Sequence, residues 1–133
     1  KKGDVSSDLA KKIIQIEKNK LKTLKHGNLN SVRDFVDVRD CVSALKTLSH
    51  RGKHGEVYNI CSGNGVKVSK LLDYFKEFSQ CDIKTEYDYS LFRNIDEYER
   101  IGDPSKLKRL GWTPKYNLSD TCNEILTYWR NQY

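Results

Sequence analysis

Arg33-Asp34-Phe35-Val36-Asp37-Val38-Arg39-Asp40 is the stretch from which this chain is best read. Its apolar residues are Phe and Val only, interleaved with charged ones, the pattern of a short half-buried strand over residues 33–38. Two arginines and three aspartates surround that strand. A guanidinium is planar and permanently charged, so it can hold two oxygens of a phosphate at once. The segment therefore reads as a strand edge that holds an anion such as a diphosphate. The same charges also allow a plainer arrangement, in which Arg33 and Arg39 pair with Asp34, Asp37 or Asp40 on a surface.

Working outward, residues 40–49 turn helical, with Cys41, Ala44, Leu45 and Leu48 as the apolar face and Asp40 favoured at the positive end of the helix. Upstream, Val5, Leu9, Ile13 and Ile16, with Ala10 and Ile14 beside them, form a helical stripe over residues 5–18, capped by Asp4 or by Ser6 or Ser7. Residues 22–26 read as a short strand, and Gly27-Asn28 as a turn. Downstream, residues 56–61 (Glu-Val-Tyr-Asn-Ile-Cys) are rich in strand formers. Residues 68–78 carry Val68, Leu71, Leu72, Phe75 and Phe78, an amphipathic helix begun by Ser69 or a neighbour. Residues 82–89 alternate cleanly, as Ile83, Thr85, Tyr87 and Tyr89 against acids and lysine, and predict a strand. Residues 91–102 lack a period and read as a long functional loop holding Arg93 and Asp96. Asp103-Pro104-Ser105 opens a short helix over residues 106–110, ended by Gly111. A last helix, capped by Ser119 or Asp120, runs to Trp129 with Cys122, Ile125 and Leu126 on its packing side. The expected class is α/β with α+β character, about five helices and four short strands.

The 133 residues suffice for one domain and not for two. Charged residues make up 32% and hydrophobic ones 37%. No apolar run approaches the roughly 18–20 residues of a membrane span, so no membrane partner is expected. The net charge of +6 arises from 24 basic and 18 acidic residues in mixed order. No basic block marks a nucleic-acid arm. Cys41, Cys61, Cys81 and Cys122 lie too far apart for a zinc clip. They read as reduced thiols of a cytoplasmic protein, with Cys41 and Cys61 buried. Methionine is absent; the chain is expected to be a piece of a longer protein.

Absent motifs narrow the chemistry further. There is no Gly-x-Gly-x-x-Gly, no phosphate-binding loop with Gly-Lys-Ser/Thr, no Tyr-x-x-x-Lys and no histidine pair at ligand spacing. A nucleophile, base and orienter cannot be assembled. By its residues alone, the chain is an arginine-based anion binder without catalytic machinery.

Three blocks then carry a resemblance: residues 33–40, Gly55-Glu-Val-Tyr-Asn-Ile-Cys-Ser-Gly63, and Gly102-Asp-Pro-Ser-Lys-Leu-Lys followed by Leu-Gly-Trp-Thr-Pro114. In this order they resemble the C-terminal part of extended short-chain dehydrogenases of the NAD-dependent epimerase/dehydratase family. The nearest group is the GDP-mannose 4,6-dehydratases and GDP-6-deoxy-mannose reductases. The resemblance implies that residues 1–133 form a single nucleotide-sugar-binding domain of a Rossmann-type enzyme. Arg33 would contact the diphosphate, Arg93 a second phosphate oxygen, Asp96 the ribose, and Lys12 the base. The family's proline after the second arginine is replaced here by Asn94. NAD or NADP would bind the full-length parent, an oxidoreductase or lyase, and not this fragment. The catalytic Tyr-x-x-x-Lys would lie upstream, so the fragment is expected to be inactive. The implied partners are a GDP-sugar, the missing N-terminal Rossmann domain, whose sheet residues 56–61 would join, and a second copy in a homo-oligomer. The alternatives are another nucleotide-sugar epimerase or dehydratase of the superfamily, a non-enzymatic basic nucleic-acid-binding module, and a dimerisation module.

Overall fold

The computed structural model describes residues 4–91 and 97–133. In chain order its elements are α1 (Val5–Glu17), β1 (Leu24–His26), β2 (Val32–Asp34), α2 (Val38–Arg51), β3 (Gly65–Lys67), α3 (Val68–Glu77), β4 (Thr85–Tyr87), β5 (Glu99–Arg100), α4 (Ser105–Lys108) and α5 (Leu118–Gln132). The class is mixed α/β, as expected.

Asp4 opens α1. Its carboxylate accepts the Ser6 N–H and the hydroxyls of Ser6 and Ser7, which satisfies donors the helix leaves unpaired. The stripe read from the sequence then points inward: Leu9, Ala10, Ile13, Ile14 and Ile16 are buried. They meet Leu71, Leu72 and Phe75 of α3 and Cys122 and Leu126 of α5, with Leu24 and Ile83 completing the main core. Arg130 of α5 fastens the ends of these helices, donating to Glu17 at 2.7 and 2.9 Å and to the Phe78 carbonyl at 2.7 Å. A second, smaller core joins Ala44, Leu107 and Trp112. No helix among the described residues is long and apolar enough to cross a membrane.

Two small sheets position the loops. β1 lies parallel to β4, with Leu24 opposite Thr85. β2 is the middle strand of the other sheet, antiparallel to β3 and parallel to β5, with Arg33 between Val66 and Arg100.

Several expected boundaries move, each for a local reason. The strand expected over residues 33–38 is only Val32–Asp34, because Asp37 caps α2 by accepting the Arg39 N–H at 2.8 Å and Val38 is already helical. Residues 56–61 form no strand, since no neighbouring strand among the described residues pairs with them; the Val57 carbonyl instead accepts from Lys106, which also pairs with Glu56. Of residues 82–89, only Thr85–Tyr87 are strand. Asp88 ends the strand by accepting the Ser90 N–H at 2.9 Å, and Tyr89 enters a 3₁₀ turn. Two strands arise where none was expected, β3 at residues 65–67 and the two-residue β5 inside the expected loop, so that with residues 56–61 not a strand, five rather than four stand among the described residues. α3 begins at Val68 after Lys67, with no side-chain cap. Pro104 is the cap residue of α4 rather than its first helical residue, and Asp103 accepts the Ser105 N–H at 2.9 Å. α5 is capped by Asn117, which accepts the Asp120 N–H at 2.8 Å, and not by Ser119 or Asp120. All four cysteines are free thiols; Cys61 and Cys122 are buried, whereas Cys41 is half-buried.

Candidate functional site

A cavity of about 400 Å³ lies between α1 and the segment joining β1 to β2. α1 contributes Asp8 and Lys12, one helical turn apart and so on one face. β1 contributes Lys25 and His26, β2 contributes Arg33, and Leu9, Leu29 and Val68 supply apolar wall. Two of the four residues singled out from sequence, Lys12 and Arg33, are thus brought to one cavity. The other two, Arg93 and Asp96, lie outside the described residues. Leu91, which precedes that segment, lines the same cavity.

The walls are held by short-range bonds. The Lys12 ammonium donates to the Lys25 carbonyl at 2.7 Å, tying α1 to β1. The Ser69 and Val68 N–H groups donate to the Leu29 and Ser31 carbonyls at 2.9 and 3.0 Å, so residues 29–31 are pinned over the start of α3. Asn28 accepts the Asn30 N–H at 2.8 Å, the Asx turn that suits Gly27-Asn28. Gly27 is required by close approach: a Cβ there would come within 2.8 Å of the Leu91 carbonyl oxygen. Arg33 is half-buried, and its guanidinium donates to the Val32 carbonyl at 2.7 Å. Next to it in β2, Asp34 points to the other face of the sheet. Its carboxylate accepts from the Ser62 N–H and hydroxyl, the Gly63 N–H and the Gly102 N–H at 2.6 to 3.3 Å. The strand that presents Arg33 is therefore anchored from behind.

Arg39 is engaged elsewhere. It grips Asp37 through two side-chain hydrogen bonds of 2.9 and 2.8 Å, reaches Glu124, and lies 3.7 Å over the Tyr116 ring. Asp37 also accepts the Thr121 hydroxyl at 2.7 Å. The Arg39 hydrogen bonds, aided by Thr121, hold the Asp37 carboxyl well below the usual carboxylate range despite its desolvation. Asp40 is buried and accepts the Lys115 and Tyr116 N–H groups. Of the two arginines in residues 33–40, Arg33 alone lines the cavity.

Chemically, the described part of the site suits anion binding. Lys12, Lys25 and Arg33 offer cationic donors, and Asp4 and Asp8 are the acids among its lining. No group of described residues could hold a metal ion. Reading by sequence missed Asp8, Lys25, His26 and the anchoring role of Asp34. Only the four-residue spacing of Asp8 and Lys12 on one helix offered a signal.

Residues 3–125 match the family described as GDP-mannose 4,6 dehydratase. The chain belongs to this family. A curated relative, GDP-6-deoxy-D-mannose reductase of Pseudomonas aeruginosa, is 32% identical over 111 residues, covering 82% of this chain and 36% of the relative. GDP-6-deoxy-D-talose 4-dehydrogenase of Aggregatibacter actinomycetemcomitans is 35% identical over 99 residues, 74% of this chain and 34% of the relative. The solved structure of RMD from Pseudomonas aeruginosa complexed with NADPH superposes over 100% of this chain and 44% of its own, with a TM-score of 0.91 at 27% identity. This family member thus has the fold of Rossmann-type epimerase/dehydratases and spans about a third of the length of these curated relatives.

Proposed function

We propose that this chain is the substrate-binding portion of a nucleotide-sugar-modifying enzyme, a GDP-mannose 4,6-dehydratase or GDP-6-deoxy-mannose reductase. The observation that carries the reading is the cavity that joins Arg33 of β2 to Lys12 of α1 beside Leu91. In this reading Arg33 holds the diphosphate, Lys12 faces the base, and Arg93 and Asp96 complete the phosphate and ribose contacts. Each charged hydrogen bond to the diphosphate contributes roughly 1.5–3 kcal/mol. The two curated relatives described above are named for GDP-sugars, which favours guanosine over other nucleosides.

NAD or NADP, when bound to the parent, supplies the hydride acceptor and donor at the sugar's C4. No residue of this chain is assigned to the cofactor or to catalysis, so the chain by itself turns over no substrate. The remaining polypeptide, a Rossmann domain, covers the apolar side of α2 and takes residues 56–61 into its sheet. Without that cover the chain self-associates, and the parent works as a cytoplasmic homo-oligomer.

Calorimetric titration of the intact protein with GDP-mannose, UDP-glucose and dTDP-glucose tests this. GDP-mannose binds tightest, and Arg33→Ala weakens all three by about 10- to 100-fold, because they share a diphosphate. Preference for UDP-glucose would move the assignment to an epimerase of the same superfamily. Binding of none of the three would overturn it.

A further inference from the structure

We infer that Arg100 grips the ligand's diphosphate together with Arg33; this rests on the nucleotide-sugar reading given above. β5 runs parallel to β2 in a register that sets Arg100 directly beside Arg33. Register partners on adjacent strands project from the same face of a sheet, and the strands lie roughly 4.8 Å apart. Arg100, Arg33 and Val66 of β3 therefore form one row across a single face. Asp34 and Glu99, each next to one of these arginines in sequence, belong to the opposite face. Asp34 is moreover taken up there by the Ser62–Gly63 turn and by Gly102. None of the three sequence blocks that carry the family resemblance includes Arg100.

Two guanidinium groups side by side repel each other, and a like-charge pair in register weakens a sheet. An anion lying across both strands turns that repulsion into attraction. A diphosphate suits the place, because its charge is spread over two phosphate groups and one can face each guanidinium. Each planar fork matches two oxygens of a phosphate. Arg100 meanwhile pairs with Glu97 at 2.7 Å, with the two side chains 76 and 50% exposed. A pair so open to water contributes at most about 1 kcal/mol, so a phosphate oxygen displaces Glu97 at small cost.

The plainer role of Arg100 is a solvated ion pair with Glu97, and that role would leave ligand affinity unchanged. The intact protein is therefore titrated calorimetrically with GDP and UDP, as wild type, Arg100→Ala and Arg100→Lys, with thermal melting of each alongside. Arg100→Ala loses about tenfold in affinity for both nucleotides alike, because they share the diphosphate and differ in the base. Its melting temperature does not fall, since an exposed like-charge neighbour has been removed. Arg100→Lys keeps the charge without the planar fork and recovers only part of the loss. Wild-type affinity in Arg100→Ala would return the residue to a surface pair and overturn the inference. So would a loss confined to one nucleotide, or full recovery in Arg100→Lys, which would show the field of a charge rather than a two-oxygen grip. If wild type binds neither nucleotide, the nucleotide-sugar reading fails and takes this one with it.

Discussion

Asp34, Asp37 and Asp40 stand three residues apart, and each holds a different part of the chain. Asp34 gathers the turn after residue 61 and the backbone of Gly102 behind β2. Asp37 caps α2 and fixes Arg39 and Thr121. Asp40 is buried and receives the backbone of residues 115 and 116. The alternation of apolar and charged residues was legible as a short strand, and so was a pairing of Arg39 with a neighbouring acid, but the other partners of these acids are 28 to 84 positions away in sequence and left no local signal. Asp37→Asn is expected to lose about 2–3 kcal/mol at neutral pH, since charge-assisted hydrogen bonds to Arg39 are weakened with Asp37 almost fully buried. The folded carboxyl titrates below its unfolded value of about 3.9. Its contribution is therefore complete above that value and lost as pH falls through the folded pKa. Urea unfolding of wild type and variant at pH 7 and near pH 2.5 should show a wide gap at the first and a narrowed one at the second. An unchanged gap would refute the assignment.

At the scale of elements, α2 shows how far a helical period reaches. Its helicity was readable, and so was the burial of Ala44. The face expected to include Leu45 is not buried in this chain: Val38, Val42 and Leu45 are 72, 61 and 58% exposed, on the side away from Leu107 and Trp112. Trp112 locks the other side, its indole N–H donating to the Ser43 hydroxyl at 2.9 Å and reaching the Asp40 carbonyl at 3.2 Å. Val57, in the segment that lacks a ladder partner, is 80% exposed. A stripe of large apolar residues at helical spacing is unusual on an uncovered surface. Replacing Leu45 by Lys is expected to change the unfolding free energy of the chain, measured by urea titration, by no more than about 0.5 kcal/mol. Replacing Ala44 by Leu should cost about 1–3 kcal/mol through overpacking. Gel filtration of the isolated chain should show the lysine variant less self-associated than wild type. Equal association would remove α2 as the sticky face.

The molecule as a whole rests on two cores of different size. The larger joins α1, α3 and α5 with Leu24 of β1 and Ile83, just before β4; the smaller joins Ala44, Leu107 and Trp112. Local opening is easiest where few apolar side chains are buried. Amides of α2 and α4 in the isolated chain should therefore exchange with deuterium sooner than those of α1, α3 and α5. In the intact protein the difference should shrink if the exposed side of α2 is covered there. Protection of α2 equal to that of α1 in the isolated chain would argue against two separable cores.

The sequence by itself determined the helices, the strand that carries Arg33 and the family, because periodicity, caps and ordered motifs are local properties of the chain. It also singled out Lys12 and Arg33, which share a cavity only because β1, the Asn28 turn and β2 bring the strand back beside α1. Tertiary structure alone decided that Arg33 and not Arg39 lines that cavity and that Asp34 braces its strand from behind. The physical reason is that a side chain's task depends on which distant groups satisfy its charge, and those are set by chain crossings rather than by neighbours in sequence.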